Sequence, residues 1–286
     1  MAIKLSQGEF GKLLDYYGGY KDLRDKKIRI LHNLSFIEDP TRVIRAIRFA
    51  VRYDFTFEDE TYKFMKEAIN EGFLNNLSWQ RFKNELVIML KEKSFIKAIN
   101  YLNKLKIIDK IHANIKIDEK IKNHLLKAEE IITQLEYIKI KPWIIYLLII
   151  LEDLDRKDLD FIFTRFTFKE DFIKKYDYGK KTRKEIKSKL ESSYKNSQIY
   201  ELLEKIPDEI IALVFIEYEE VRDKINMYFS KIKNKKPLIN GKDLIQLGLN
   251  PGYLFKSYLN NLYKIQLDNE ELNKESLIEL WKEREM

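Results

Sequence analysis

Asp39 and Arg42 stand three residues apart where a polar, acidic turn runs into a helix-forming stretch, SFIEDPTRVIRAIRFAVR, from Ser35 to Arg52. At that spacing a carboxylate and a guanidinium project side by side from the positive end of a helix. Taken alone, the two residues make a helix cap and an ion pair. Around them Arg42, Arg45, Arg48 and Arg52 recur every three or four residues and fall within about a third of the helix circumference, while Val43, Ile44, Ile47 and Phe49 supply an apolar side. One face of this helix is therefore strongly basic.

Pro40 sets the helix start, because the residue before a proline is pushed out of helical geometry and proline suits the first helical position. Asp39 is then the N-cap. A rival start at Ser35, with Glu38 three residues on in a capping-box pattern, would place Pro40 inside the first turns. Downstream, Ser78 reads as the N-cap of a helix that carries Arg81 and Glu85 on one face.

The Ser35 to Arg52 string resembles the signature EDPxRxxRAxRFA of class II tRNA nucleotidyltransferases and bacterial poly(A) polymerases. It matches at Glu38, Asp39, Pro40, Arg42, Arg45, Ala46, Arg48, Phe49 and Ala50. In that family the Asp and Arg act as a protein template for the incoming nucleotide, so the resemblance assigns base reading to Asp39 and Arg42, with Glu38, Arg45 and Arg48 in support. The chemistry suits the assignment. A carboxylate accepts from the exocyclic amine of cytosine or adenine, a guanidinium donates to the neighbouring ring nitrogen or carbonyl, and uracil and guanine present the wrong polarity. The segment from Ser78 through Arg81 to Glu85 is similar to the family's S-x-x-R-x-x-x-E-L motif, which implies that Arg81 and Glu85 brace the template helix.

Two further segments carry the resemblance. Asp15 to Leu23, with Gly18-Gly19 inside it, is similar to the family's DxxGGxxDL hinge, so Asp15, Gly18 and Gly19 become hinge residues; by composition alone the two glycines mark a plain turn. Ile239 to Gly252 resembles the family's C-terminal region. There Gly248 is expected to end a helix in the left-handed conformation and Asn250-Pro251-Gly252 to turn into the next. Backbone amides at Gly252, with Lys235, Lys236 and Lys242 nearby, are candidates for an RNA phosphate, against the plainer reading of a helical hairpin that packs the C-terminus.

What precedes the hinge in the family is a catalytic head with a Gly-Gly turn and a DxD carboxylate pair. The resemblance implies that this chain starts just after that head. Residues 1–34 read as a short α/β remnant of it, with strand-like AIKL, KLLDYY and KKIRIL. The carboxylates at Glu58 to Glu60 and at Asp153, Asp155, Asp158 and Asp160 are the substitutes to consider. The first group reads as the acidic first turn of a helix and the second as a polar stretch, neither on a strand beside a glycine turn. Catalytic residues and a metal site are thus expected to be none in this chain, with ATP and CTP as substrates and Mg²⁺ acting only through a head on a separate polypeptide or missing segment.

The fold expected is all-α, a multi-helical neck (35–93), body (94–232) and tail (233–286) after the 1–34 remnant. Helices are predicted over 95–105, 119–135, 142–151, 158–166, 200–205 and 208–229. Between Lys174 and Lys189, eight Lys and Arg residues, including Lys180, Lys181, Arg183 and Lys184, stand against Asp177 and Glu185. With Tyr176 and Tyr178 interleaved this is a candidate RNA surface, and equally a solvated helix face. His112 and His124 have no metal-ligand spacing.

Composition is compatible with this. The 286 residues include no cysteine, which excludes disulfides and thiolate metal sites, and the formal charge of +7 mildly favours a polyanion partner. The longest apolar run, Trp143 to Leu151, is about half of a membrane span, and MAIKLSQGEFGK is not a signal peptide, so a cytoplasmic protein without a membrane partner is expected. The expected partner is tRNA or another RNA 3′ end, and the expected reaction is CCA, CC or A addition. A poly(A) polymerase part, or a non-catalytic helical RNA-binding protein that lost the head, is the alternative.

Overall fold

The computed structural model describes residues 1–135, 138–252, 254–269 and 271–285. The chain forms two compact units, one of residues 1–130 with 141–174, the other of residues 131–140 with 175–286. Both are helical.

The first unit opens with short strands and a short helix, a small α/β segment of the kind expected from the sequence. β1 (Ala2–Ile3) pairs antiparallel with β2 (Leu13–Leu14), and β3 (Lys27–Ile28) pairs in parallel with β4 (Thr56–Phe57). Between them α1 (Gly19–Arg24) starts behind Gly18, whose φ of 69° is the left-handed value glycine tolerates. This helix was not foreseen. The Asp15 carboxylate caps it, accepting from the amides of Gly19 at 2.9 Å and Tyr20 at 2.7 Å.

Next come α2 (Ser35–Glu38), α3 (Thr41–Tyr53), α4 (Asp59–Asn70), α5 (Trp79–Leu90), α6 (Phe95–Lys104) and α7 (Ile107–Ile111). They are followed by α8 (Glu119–Ile132), α9 (Pro142–Ile150) and α10 (Arg156–Arg165). α3 packs on α5 and α6, and its Val43, Ile44 and Ile47 are fully buried. Each such side chain contributes about 1.5 to 3 kcal/mol of burial, which is what holds the arginine-bearing helix in place. Glu58 caps α4 by accepting from Thr61 N at 2.9 Å, as its acidic start suggested. α9 is the apolar run, buried from Ile144 to Ile150 as a core helix against α5. No helix among the described residues is long and apolar enough to cross a membrane.

α11 (Glu170–Glu191) bridges the sequence boundary between the units, and the second unit continues with α12 (Asn196–Leu203), α13 (Asp208–Glu217), α14 (Arg222–Met227), α15 (Gly241–Gln246), α16 (Phe255–Asp268) and α17 (Lys274–Glu285). α11 buries a narrow stripe of Phe172, Tyr176, Ile186 and Leu190, along with Gly179. A Cβ on Gly179 would meet Ile210 Cδ1 of α13 at 2.4 Å. The single helix expected over 208–229 is instead broken. Tyr218 is extended, and Arg222 Nε donates to the carbonyl of Phe215 at 2.9 Å, which satisfies an end of α13 that a continuous helix would have satisfied itself. In the tail Asn240 and Asp243 form a capping box, and Gly248 at φ 85° follows α15 as expected. Ile239, Leu244, Leu262, Ile265, Leu277 and Trp281 form the tail's core.

Candidate nucleotide-reading site

Both proposed helix starts are used in part. α2 ends at Asp39, whose backbone is extended, and α3 begins after Pro40, so proline rather than Asp39 occupies the formal cap position. The Asp39 side chain still does the work of a cap: Oδ1 accepts from Thr41 N at 3.1 Å and from Thr41 Oγ1 at 2.5 Å. Ser35 is not a cap here.

Asp39 and Arg42 do not pair. Arg81 Nη2, from α5, donates to Asp39 Oδ2 at 2.6 Å. Arg42 Nη1 turns the other way, donating to Ser35 Oγ at 2.8 Å and to the Ser35 carbonyl at 3.2 Å, with Glu38 at 3.7 Å. The reason is local: two hydroxyl and carbonyl acceptors of the α2 turn lie beneath Arg42, whereas Asp39 is already drawn to Thr41. Burial pushes the Asp39 carboxyl up, but the hydrogen bonds from Thr41 and Arg81 outweigh it, and its pKa lies below the ordinary carboxylate value.

The rest of the basic face is neutralised from α5 and the turn after it. Arg45 Nη1 donates to Glu85 Oε1 at 2.7 Å, Arg48 Nε lies 3.4 Å from Glu85 Oε2, and Arg48 Nη1 donates to Glu92 at 2.8 Å. Arg48 is only 6% exposed and its guanidinium lies over the Phe49 ring. The basic face is thus an inter-helix ion-pair ladder. Arg81 and Glu85 sit on one face of α5 as expected, but each holds a different group of the site, Asp39 and Arg45 respectively.

Asp39, Arg42, Arg45, Arg81 and Glu85 line one open cavity of about 290 Å³, together with Thr41 and Asn84. Thr41, Asn84 and Glu92 were missed in the sequence. Glu92 lies seven residues, two helical turns, after Glu85, a spacing that points it at the same neighbour helix.

Other candidates are dispersed. In the 174–189 cluster Lys175 meets Glu209 at 3.4 Å, Lys187 meets Glu191 at 2.9 Å, and Arg183 and Lys189 are paired with Glu217 and Glu185. Tyr176 is 2% exposed, so it cannot stack on a base. Lys180, Lys181 and Lys184 remain exposed. Lys235 Nζ donates to the Gln266 carbonyl at 3.1 Å, while Lys236, Lys242 and Gly252 are exposed in the tail.

Five of the carboxylates weighed for Mg²⁺ are engaged within the fold. Glu58 caps α4 and meets Arg29, Asp153 meets Lys120 at 2.6 Å, Asp155 caps α10, Asp158 accepts from Asn114, and Asp160 meets Arg156 at 2.8 Å. Each of these five is matched by a cation or a donor.

No family model matches the chain. The A-adding tRNA nucleotidyltransferase of Geobacter sulfurreducens is 31% identical over 282 residues, covering 94% of this chain and 32% of that protein. That of Aquifex aeolicus is 31% identical over 241 residues, covering 82% of this chain and 29% of its own length. The Thermotoga maritima CCA-adding enzyme in complex with tRNA superposes with a TM-score of 0.76 at 28% identity, over 99% of this chain and 70% of that one. A CCA-adding enzyme complex with ATP gives 0.74 at 28% identity, over 99% and 69%. The chain thus spans about a third of the two A-adding relatives, and by sequence and fold along its own length it belongs to the class II tRNA nucleotidyltransferase family.

Proposed function

We propose that this chain is the nucleotide-selecting and tRNA-binding portion of a tRNA nucleotidyltransferase that extends RNA 3′ ends from CTP or ATP. The observation that carries the reading is the state of Asp39. A carboxylate offers about four lone-pair sites, and Thr41 and Arg81 use three, so one acceptor is left to take a single N–H such as an exocyclic amine. Arg42 retains N–H groups on the same cavity for the adjoining ring nitrogen. Cytosine and adenine share that donor-next-to-acceptor edge; uracil and guanine reverse it.

Segments 1–34, 35–93, 94–232 and 233–286 then serve as head remnant and hinge, neck, RNA-binding body and tail. The catalytic carboxylates and their Mg²⁺ belong to a head carried on another chain or segment. Ile3, Leu5, Phe10 and Tyr16 are 61 to 85% exposed beside a two-stranded sheet that is marginal by itself, which supports an apolar partner surface at this edge. Complexes of CCA-adding enzymes with ATP and with CTP support the choice of nucleotides.

Chemical-shift mapping of the purified chain with each nucleoside triphosphate tests the template. CTP and ATP are expected to shift the signals of Asp39, Arg42 and Thr41, UTP and GTP to leave them in place, and Asp39→Ala to abolish the difference. Equal responses to all four would end the template reading.

A further inference from the structure

In the second unit α12 and α16 pack against each other, and Tyr200 and Tyr263 meet edge to face between them with ring centroids 5.2 Å apart. The Tyr263 hydroxyl donates to the Lys235 carbonyl at 2.8 Å, which fixes that ring. Burial and the neighbouring Glu204 push the Tyr200 phenol up to about 12, so both rings are neutral walls at physiological pH. They border a cavity of about 370 Å³, the small end of the range for ligand sites.

The charges around that cavity divide into used and unused. Lys264 is paired with Glu201, and Glu204 is turned to the Tyr200 hydroxyl. Lys205 from the end of α12, and Lys256 and Asn260 from α16, also line it, are exposed, and have no partner among the described residues. Both carboxylates are thus engaged, while two ammonium groups and an amide converge unsatisfied beside two aromatic rings. The complement of such a site is an anion with several oxygen acceptors joined to a flat or sugar-like body. Lysine is a point-charge phosphate binder, and tyrosine offers a face or edge to a ribose or base.

We propose that the cleft between α12 and α16 holds a phosphodiester segment of an RNA strand, with Lys205 and Lys256 neutralising phosphate, Asn260 hydrogen-bonding a phosphate or ribose oxygen, and Tyr200 and Tyr263 against the sugar or base. This rests on the RNA-binding reading above but moves its centre. The 174–189 cluster has many of its cations engaged by glutamates; here the unused donors meet at a concave surface.

The test is tRNA binding by the full chain, followed by fluorescence anisotropy across a salt series. Lys205→Ala/Lys256→Ala is expected to weaken binding about tenfold and to lower the slope of log K against log salt by about 1.4 to 1.8, the share of two phosphate contacts. Lys205→Arg/Lys256→Arg is expected to keep the slope, and Lys104→Ala/Lys110→Ala, on exposed lysines of the first unit, to change neither quantity. Thermal melting followed by circular dichroism checks that the variants are folded. A wild-type chain that binds tRNA while Lys205→Ala/Lys256→Ala binds with unchanged affinity and slope overturns the cleft alone. A wild-type chain that does not bind tRNA overturns the RNA reading, and the occupant with it.

Discussion

α3 and α11 are both crowded with cations, yet the two helices draw their counter-charges differently. On α3 the counter-charges come from another helix: Glu85 and Glu92 reach across to Arg45 and Arg48, and Arg81 reaches back to Asp39. On α11 Lys174, Lys187 and Lys189 find Glu170, Glu191 and Glu185 one turn along the same helix, while Lys175 and Arg183 reach Glu209 and Glu217 of α13. The first arrangement builds a walled cavity with acceptor and donor on one side. The second builds a soluble surface. Charge density along a sequence does not distinguish them; the origin of the counter-charge does.

The largest expected effect lies in the ladder. Arg48→Met removes a buried cation that serves two carboxylates, and breaking a buried pair in this way is expected to cost about 3 kcal/mol, read as a lower urea midpoint at unchanged slope. An unchanged midpoint would mean that Glu85 and Glu92 are adequately held by Arg45 and Arg52 alone. The matching disturbance in α11 is steric. Gly179→Ala drives a methyl into Ile210 Cδ1, an overpacking cost of about 1 to 3 kcal/mol. Ile210→Val, which removes that Cδ1, is expected to recover most of it in the double variant, so a strictly additive pair would show that the two sites are not in contact.

What the sequence made legible was local. The break before α3, the acidic start of α4, the all-round apolar α9 and the left-handed Gly248 each depend on residues within a turn of one another. The candidate site was legible only as a set of names. Asp39 and Arg81 are 42 residues apart, and Arg48 and Glu92 are 44 apart. Spacing alone assigned Arg42 as the partner of Asp39 because it was near in sequence, and the Ser35 acceptors that actually hold Arg42 are only visible once α2 folds as a separate turn. α11 was legible only as a solvated helix face without bounds because its buried stripe is sparse, and the break at Tyr218 was not legible because a side chain, Arg222, takes over a backbone hydrogen bond.

A smaller effect separates cap from ion pair at Asp39. Its folded pKa is depressed below the unfolded value near 3.9. The stabilisation it brings is therefore complete above that value and fades as pH falls through the folded pKa. In Arg81→Ala the burial that opposes ionisation is left against Thr41 alone, so the Asp39 titration followed by carboxyl ¹³C shifts is expected to move upward. If it stays in place, Thr41 suffices to hold the charge and Arg81 is only a lid on the cavity.

The smallest expected effect completes the contrast. Lys189 and Glu185 are both 58% exposed on the side chain, four residues apart on one helix. Water and salt screen such a pair nearly as well as the partner does. Lys189→Ala is expected to leave the urea midpoint within error and to be indifferent to salt between about 0.05 and 0.5 M, where the Debye length shrinks from well over 10 Å to about 4 Å. A clear, salt-sensitive loss would show that α11 depends on its own charge pairs, and that the two basic helices differ less in their energetics than in where their glutamates sit.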